Sequence, residues 1–127
     1  MMVQGIEHTA IASPDPERLA RWYVEQLGFR INYQSKNSRT VFVKAENGTM
    51  IEIIEAGGAA AESPALTTPG LRHLALTVTD FDDACLRLQQ AGITFLSEPQ
   101  KGKNSTAFFR DPDGNILHLL HRQEPLP

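Results

Sequence analysis

A chain of 127 residues with 41% hydrophobic residues is long enough to bury a core without staples, and its length fits a single domain. Charged residues make up 21% and the formal net charge is -3, neither the basic excess that phosphate backbones select nor the acidic excess of a disordered tail, so nucleic acid is not an expected partner. One cysteine, Cys85, forms no internal disulfide, no apolar run approaches a membrane span, and MMVQGIEHTAIAS lacks the basic start and long apolar run of a secretory signal; a cytoplasmic protein that does not enter membranes is expected.

Residues Ile6 to Ala12 carry β-branched residues in near alternation and run into the turn signal Ser13-Pro14-Asp15-Pro16, which predicts a strand. Asp15 is a capping residue with Pro16 at the first helical position. Leu19, Trp22, Tyr23 and Leu27 then recur at helical spacing until Gly28 closes the helix, and Trp22 and Tyr23 read as core and helix-face residues. Three strand-like runs follow, Phe29 to Gln34, Thr40 to Ala45 and Thr49 to Glu55, with Asn47-Gly48 suited to a tight hairpin. The first half thus reads β-α-β-β-β. Gly57-Gly58-Ala59-Ala60-Ala61 and the stretch from Pro64 to Gly70 have linker composition.

The second half repeats the plan. Strand Leu71 to Val78 leads to the capping residue Asp80, then to a helix with Phe81, Ala84, Cys85 and Leu88 inward and Gly92 as terminator. At that position Cys85 is a small buried packing residue rather than a nucleophile. Strands Ile93 to Leu96, Thr106 to Arg110 and Asn115 to His121 follow, the last two joined by the turn Asp111-Pro112-Asp113-Gly114. The fold class expected is therefore α+β, one domain of two tandem modules: module one at about residues 4–56, a linker at about 57–70 and module two at about 71–122.

Counting tests the repeat. His8 precedes Gly28 by 28 − 8 = 20 residues and His73 precedes Gly92 by 92 − 73 = 19; His8 precedes Glu52 by 52 − 8 = 44 and His73 precedes His118 by 118 − 73 = 45. Three of the four histidines and one carboxylate therefore fall on matching positions, the first and last strand of each half. A lone His on a strand is usually a hydrogen-bonded structural residue and a lone Glu a surface carboxylate, but packing alone does not require this symmetric placement. Glu52 lies among Met50, Ile51, Ile53 and Ile54, and His118 among Ile116, Leu117, Leu119 and Leu120, where a polar group needs a partner. Imidazoles with one carboxylate suit a divalent transition ion such as Zn, Ni, Fe, Mn or Co rather than calcium. Alternation turns Glu7, Glu55 and His121 away from His8, Glu52 and His118, and leaves His121 for a surface or interface. In the polar segment from Glu98 to Ser105, Lys101 and Lys103 are candidate contacts for an anionic substrate group, with Arg72 and Arg110 as further ones; solvated loop positions are the plainer reading of the lysines.

These residues carry a resemblance. Ile6-Glu7-His8-Thr9-Ala10-Ile11, Trp22-Tyr23 through Leu27-Gly28-Phe29, Met50-Ile51-Glu52-Ile53, Gly70 to Leu76 and Asp111-Pro112-Asp113-Gly114-Asn115-Ile116-Leu117-His118 together resemble the vicinal oxygen chelate superfamily over nearly the whole chain. That group includes glyoxalase I, methylmalonyl-CoA epimerase, fosfomycin- and bleomycin-resistance proteins and extradiol dioxygenases. The resemblance implies paired β-α-β-β-β modules forming a U-shaped sheet around a metal with open positions for two neighbouring substrate oxygens, and a homodimer. His8, Glu52 and His73 match the ligand positions of glyoxalase I, while His118 stands where that enzyme has a glutamate. As a metal ligand, His118 turns its free nitrogen away from substrate, which leaves Glu52 as the base.

The function expected is a metal-dependent lyase, isomerase or epimerase acting on a small oxo or hydroxy compound or thioester. It works by proton abstraction next to a carbonyl, with the metal stabilising the enediolate oxygens. The alternatives are an Fe(II)-dependent dioxygenase and an antibiotic-binding or resistance protein without turnover.

Overall fold

The computed structural model describes residues 2–58, 62 and 64–127. The chain divides into two compact units, Met1–Ala61 and Glu62–Pro127. The expected linker positions Ala59, Ala60 and Ala61 lie outside the described residues.

The first unit runs β1 (His8–Ser13), α1 (Pro16–Leu27), β2 (Arg30–Gln34), β3 (Val41–Lys44) and β4 (Met50–Glu55). Local chemistry sets both ends of α1. Asp15 caps it by accepting a hydrogen bond from the Arg18 backbone N–H at 3.3 Å, and Pro16 sits where no backbone donor is needed. At the other end Gly28 takes φ 76°, a left-handed conformation that lets its N–H reach the Val24 carbonyl at 3.2 Å while Phe29 reaches Tyr23. Helix α1 buries Leu19, Ala20 and Tyr23, and Tyr23 meets Phe29 edge-to-face at 5.6 Å.

The four strands form one sheet in the order β1-β4-β3-β2, with β1 parallel to β4 and the other pairs antiparallel. Period-two burial gives the sheet two faces: Ile11, Val41, Val43, Ile51 and Ile53 are buried, whereas His8, Ala10, Phe42 and Glu52 are half-buried or exposed on the other side. His8 and Glu52 thus share the face opposite the apolar core of this unit.

Arg39, in the loop between β2 and β3, ties that loop to the rest of the unit. Its guanidinium reaches Asp15 at 3.2 Å, Glu17 at 2.7 Å and Glu55 at 2.7 Å. The hydrogen bond from Arg39 is the main cause that holds the Glu17 carboxyl down at about 2, below the ordinary carboxylate range. A carboxyl lowered in the folded state adds stability above its unfolded value, and that contribution disappears as pH falls through the folded one. Arg39→Gln is therefore expected to return Glu17 to the ordinary carboxylate range in a carbon-detected NMR titration. A Glu17 carboxyl still titrating near 2 in that variant would show that Arg39 is not the cause.

The second unit contains β5 (His73–Thr77), α2 (Phe81–Gln90), β6 (Asn104–Arg110) and β7 (Ile116–Arg122), with sheet order β5-β7-β6. Asp80 caps α2 through the Asp83 N–H at 3.0 Å, and Phe81, Cys85 and Leu88 turn inward as the periodicity predicts. Burial, and after it the negative charge of Asp82, raises the Cys85 thiol above its ordinary range, which suits packing rather than nucleophilic attack. The turn between β6 and β7 is held by Asp111. Its carboxylate accepts from the N–H groups of Asp113 at 2.9 Å and Asn115 at 3.0 Å and from the Asn115 side-chain amide at 2.8 Å.

One expected strand is not formed. Ile93 to Leu96 makes no ladder, because the Ile93 N–H is used to close the end of α2 on the Leu88 carbonyl, and of the run only Leu96 then bonds β6, to Phe108 at 2.8 Å. The sheet of this unit accordingly has three strands where the first has four. No helix among the described residues is long and apolar enough to cross a membrane.

Candidate metal centre

Each unit brings one predicted pair together. In the first, β1 and β4 lie parallel with His8 opposite Met50 and Ala10 opposite Glu52. His8 Nε2 stands 3.6 Å from Glu52 Oε1, and the Phe42 ring, on the strand next to Glu52, meets the imidazole edge-on at 5.4 Å. In the second unit His73 lies opposite Ile116 and Ala75 opposite His118, and Phe108 occupies the position beside His118. The His73 and His118 rings are 4.7 Å apart at 86°, and Phe108 stacks on His118 at 4.4 Å and 9°.

The equivalence inferred from counting thus extends to strand register. His8, Ala10, Phe42 and Glu52 have the same places in their sheet as His73, Ala75, Phe108 and His118 in theirs. Alanines, Ala10 and Ala75, stand opposite Glu52 and His118, and a phenylalanine lies against each pair, Phe42 beside His8 and Phe108 beside His73 and His118. Among the described residues no group of three or more His, Cys, Asp or Glu side chains is gathered for an ion.

The donors fit a divalent transition ion on two observations. Burial, with the adjacent His73 and then Arg122 as smaller causes, lowers the His118 pKa and keeps its ring in the neutral form that coordinates metals. His118 Nδ1 is buried with no hydrogen-bond partner among the described residues, a state that costs free energy unless a hydrogen-bonding group or a cation satisfies it.

Of the remaining candidates, Lys101 and Arg110 have other occupations. Lys101 is paired with Asp82 at 2.8 Å, so its charge is held at the first turn of α2, and Lys103 is exposed on the same segment. Arg110 donates to the carbonyls of Gly114 at 2.8 Å and Pro64 at 3.3 Å, which makes it a brace for the turn before β7. Arg72 keeps Nε and Nη1 buried without a partner among the described residues.

Glu55 and His121 turn away as alternation predicts, Glu55 toward Arg39 and His121 with Nδ1 3.0 Å from the Val78 carbonyl. His121 is half-buried. Glu7 departs from expectation. It precedes β1, where strand alternation does not yet apply, and its carboxylate reaches His8 Nδ1 at 2.6 Å. An acid next to a candidate ligand was the available signal in the sequence.

A β-α-β-β-β unit followed by one of the same plan with one strand fewer, with His8 and Glu52 in the first at the register of His73 and His118 in the second, is an α+β arrangement built twice. Residues 5–119 match the Glyoxalase/Bleomycin resistance protein/Dioxygenase superfamily, and the chain belongs to that superfamily. It is similar to YwkD of Bacillus subtilis (strain 168), 32% identical over 129 residues that cover 96% of this chain and 100% of YwkD. It is also 28% identical over 118 residues to biphenyl-2,3-diol 1,2-dioxygenase 3 of Rhodococcus globerulus, covering 90% of this chain and 61% of the dioxygenase. The solved structure of a glyoxalase family protein from Enterococcus faecalis has a TM-score of 0.72 at 28% identity, over 95% of this chain and 100% of that one.

Proposed function

We propose that the chain is a metal-dependent lyase, isomerase or epimerase that moves a proton next to a carbonyl of a small oxo or hydroxy compound or thioester. The observation that carries this reading is the matched register of the two pairs, His8 with Glu52 and His73 with His118. His8 with Glu52 and His73 with His118 are the side chains we assign as donors to a divalent ion, each pair within its own unit. When bound, that ion supplies Lewis acidity, drawing charge from substrate oxygens and making the adjacent C–H more acidic.

Glu52 is the base in this proposal. Its carboxylate oxygen accepts the proton as the C–H bond breaks, the electron pair moves toward the carbonyl oxygen, and Glu52 returns the proton to the same or the neighbouring carbon. No external oxidant or reductant is required. Phe42 packs edge-on against His8 and Phe108 stacks on His118, so each ring holds an imidazole of its pair in place.

Deuterium exchange tests the proposal. Protein loaded with Zn, Ni, Mn or Co is expected to wash deuterium from D2O into the reactive carbon of at least one member of a panel of α-oxo acids, α-hydroxy carbonyls and thioesters, and metal-free protein is not. Bound metal without exchange across the panel would sink the assignment. The similarity to a ring-cleaving dioxygenase favours a second reading, an Fe(II) oxygenase, for which two imidazoles and a carboxylate are suitable ligands. Oxygen uptake with Fe(II) and catechols would shift the assignment to it.

A further inference from the structure

We infer that Glu7 is a positioning residue that fixes His8 in the tautomer whose Nε2 lone pair faces Glu52; as regards the metal, this rests on the reading above. Glu7 Oε1 is 2.6 Å from His8 Nδ1. An ionised carboxylate only accepts hydrogen bonds, so Nδ1 carries the hydrogen and, in the neutral ring, Nε2 carries the lone pair. That lone pair is on the side where Glu52 Oε1 lies 3.6 Å away. Two acceptors are thus turned toward each other. They repel unless a proton or a cation lies between them. For bonds of roughly 2.1 Å at a tetrahedral angle, two donors on one ion stand about 3.4 Å apart, close to the spacing found here.

The matching position of the second unit is Arg72, one residue before His73, and a guanidinium has no acceptor with which to hold an imidazole hydrogen. The carboxylate–imidazole contact therefore belongs to the first unit. A carboxylate behind a coordinating imidazole sets the ring orientation and raises its basicity, and losing one typically weakens metal binding by about tenfold or more.

The test has two arms. In metal-free protein at roughly pH 8, above the ordinary imidazole range, nitrogen NMR of the His8 ring is expected to show hydrogen on Nδ1. Glu7→Ala should return His8 to the tautomer mixture of a free imidazole, and Glu7→Gln, whose amide oxygen can still accept, should keep part of the preference. The Glu7 side chain is 74% exposed, so both variants keep the fold. In the second arm the Kd for Co(II) should rise about tenfold in Glu7→Ala, and less in Glu7→Gln, while Glu25→Gln, which removes an exposed charge on α1, leaves it unchanged.

A wild-type His8 spectrum that Glu7→Ala does not alter overturns the inference, as does a lost tautomer with unchanged Co(II) affinity. Wild-type protein that takes up no metal overturns the metal-centre reading instead, and the Glu7 assignment then stands or falls on the NMR arm alone.

Discussion

Glu52→Gln is expected to lower hydrogen–deuterium exchange by at least about a hundredfold when measured at saturating metal, because an amide cannot take a proton from carbon at neutral pH. Two losses are separable in this variant. The amide oxygen is a poorer donor than the carboxylate, so metal affinity falls, and titrating metal to saturation removes that part. What remains is the loss of the base. His118→Gln serves as the comparison: it removes a proposed donor from the second unit but no base, so its exchange should recover at saturating metal. If Glu52→Gln keeps wild-type exchange under those conditions, another group moves the proton and Glu52 is a ligand only.

The second large effect is structural. Phe109 is fully buried on β6, lies opposite Leu117 in the ladder with β7, and meets Phe95 at 6.4 Å. Phe109→Ala is expected to destabilise the protein by about 3–5 kcal/mol, combining lost transfer free energy with the cavity left behind, as read from a chemical denaturation midpoint. Phe108 provides the contrast, since it points to the other face of the same strand and stacks on His118. Phe108→Ala should cost less stability and raise the exposure of His118. A loss below about 1 kcal/mol at Phe109 would mean that the core of this unit collapses around the gap.

Local chemistry explains why so much of the fold was legible in the sequence. The ends of α1 follow from Asp15, Pro16 and Gly28, which act within four residues of the helix they delimit, and the predicted span from Pro16 to Leu27 is the one observed. Strands were legible to within a residue or two wherever alternation had a partner to meet. Ile93 to Leu96 failed because strand identity depends on a neighbour, and the closing turn of α2 uses the first residue of the run. For the candidate site, equal offsets from each start were enough to pair His8 with Glu52 and His73 with His118. The contact of Glu7 with His8 escaped because alternation was extended to a residue outside the strand, where side-chain reach governs instead.

The parallel pairing of β1 with β4 also has a kinetic consequence. Ala10 meets Glu52 across 52 − 10 = 42 positions of chain, with α1, β2 and β3 lying between them in sequence. Contacts of such long range repay their loop-closure entropy late in folding. Pairing of β1 with β4 is therefore expected among the late steps of folding of the first unit, and pairing of β5 with β7, where Ala75 meets His118 across 118 − 75 = 43 positions, among those of the second. A nascent or half-folded chain offers scattered single donors, so tight capture of an ion would mark finished chains and leave unfinished ones unstabilised.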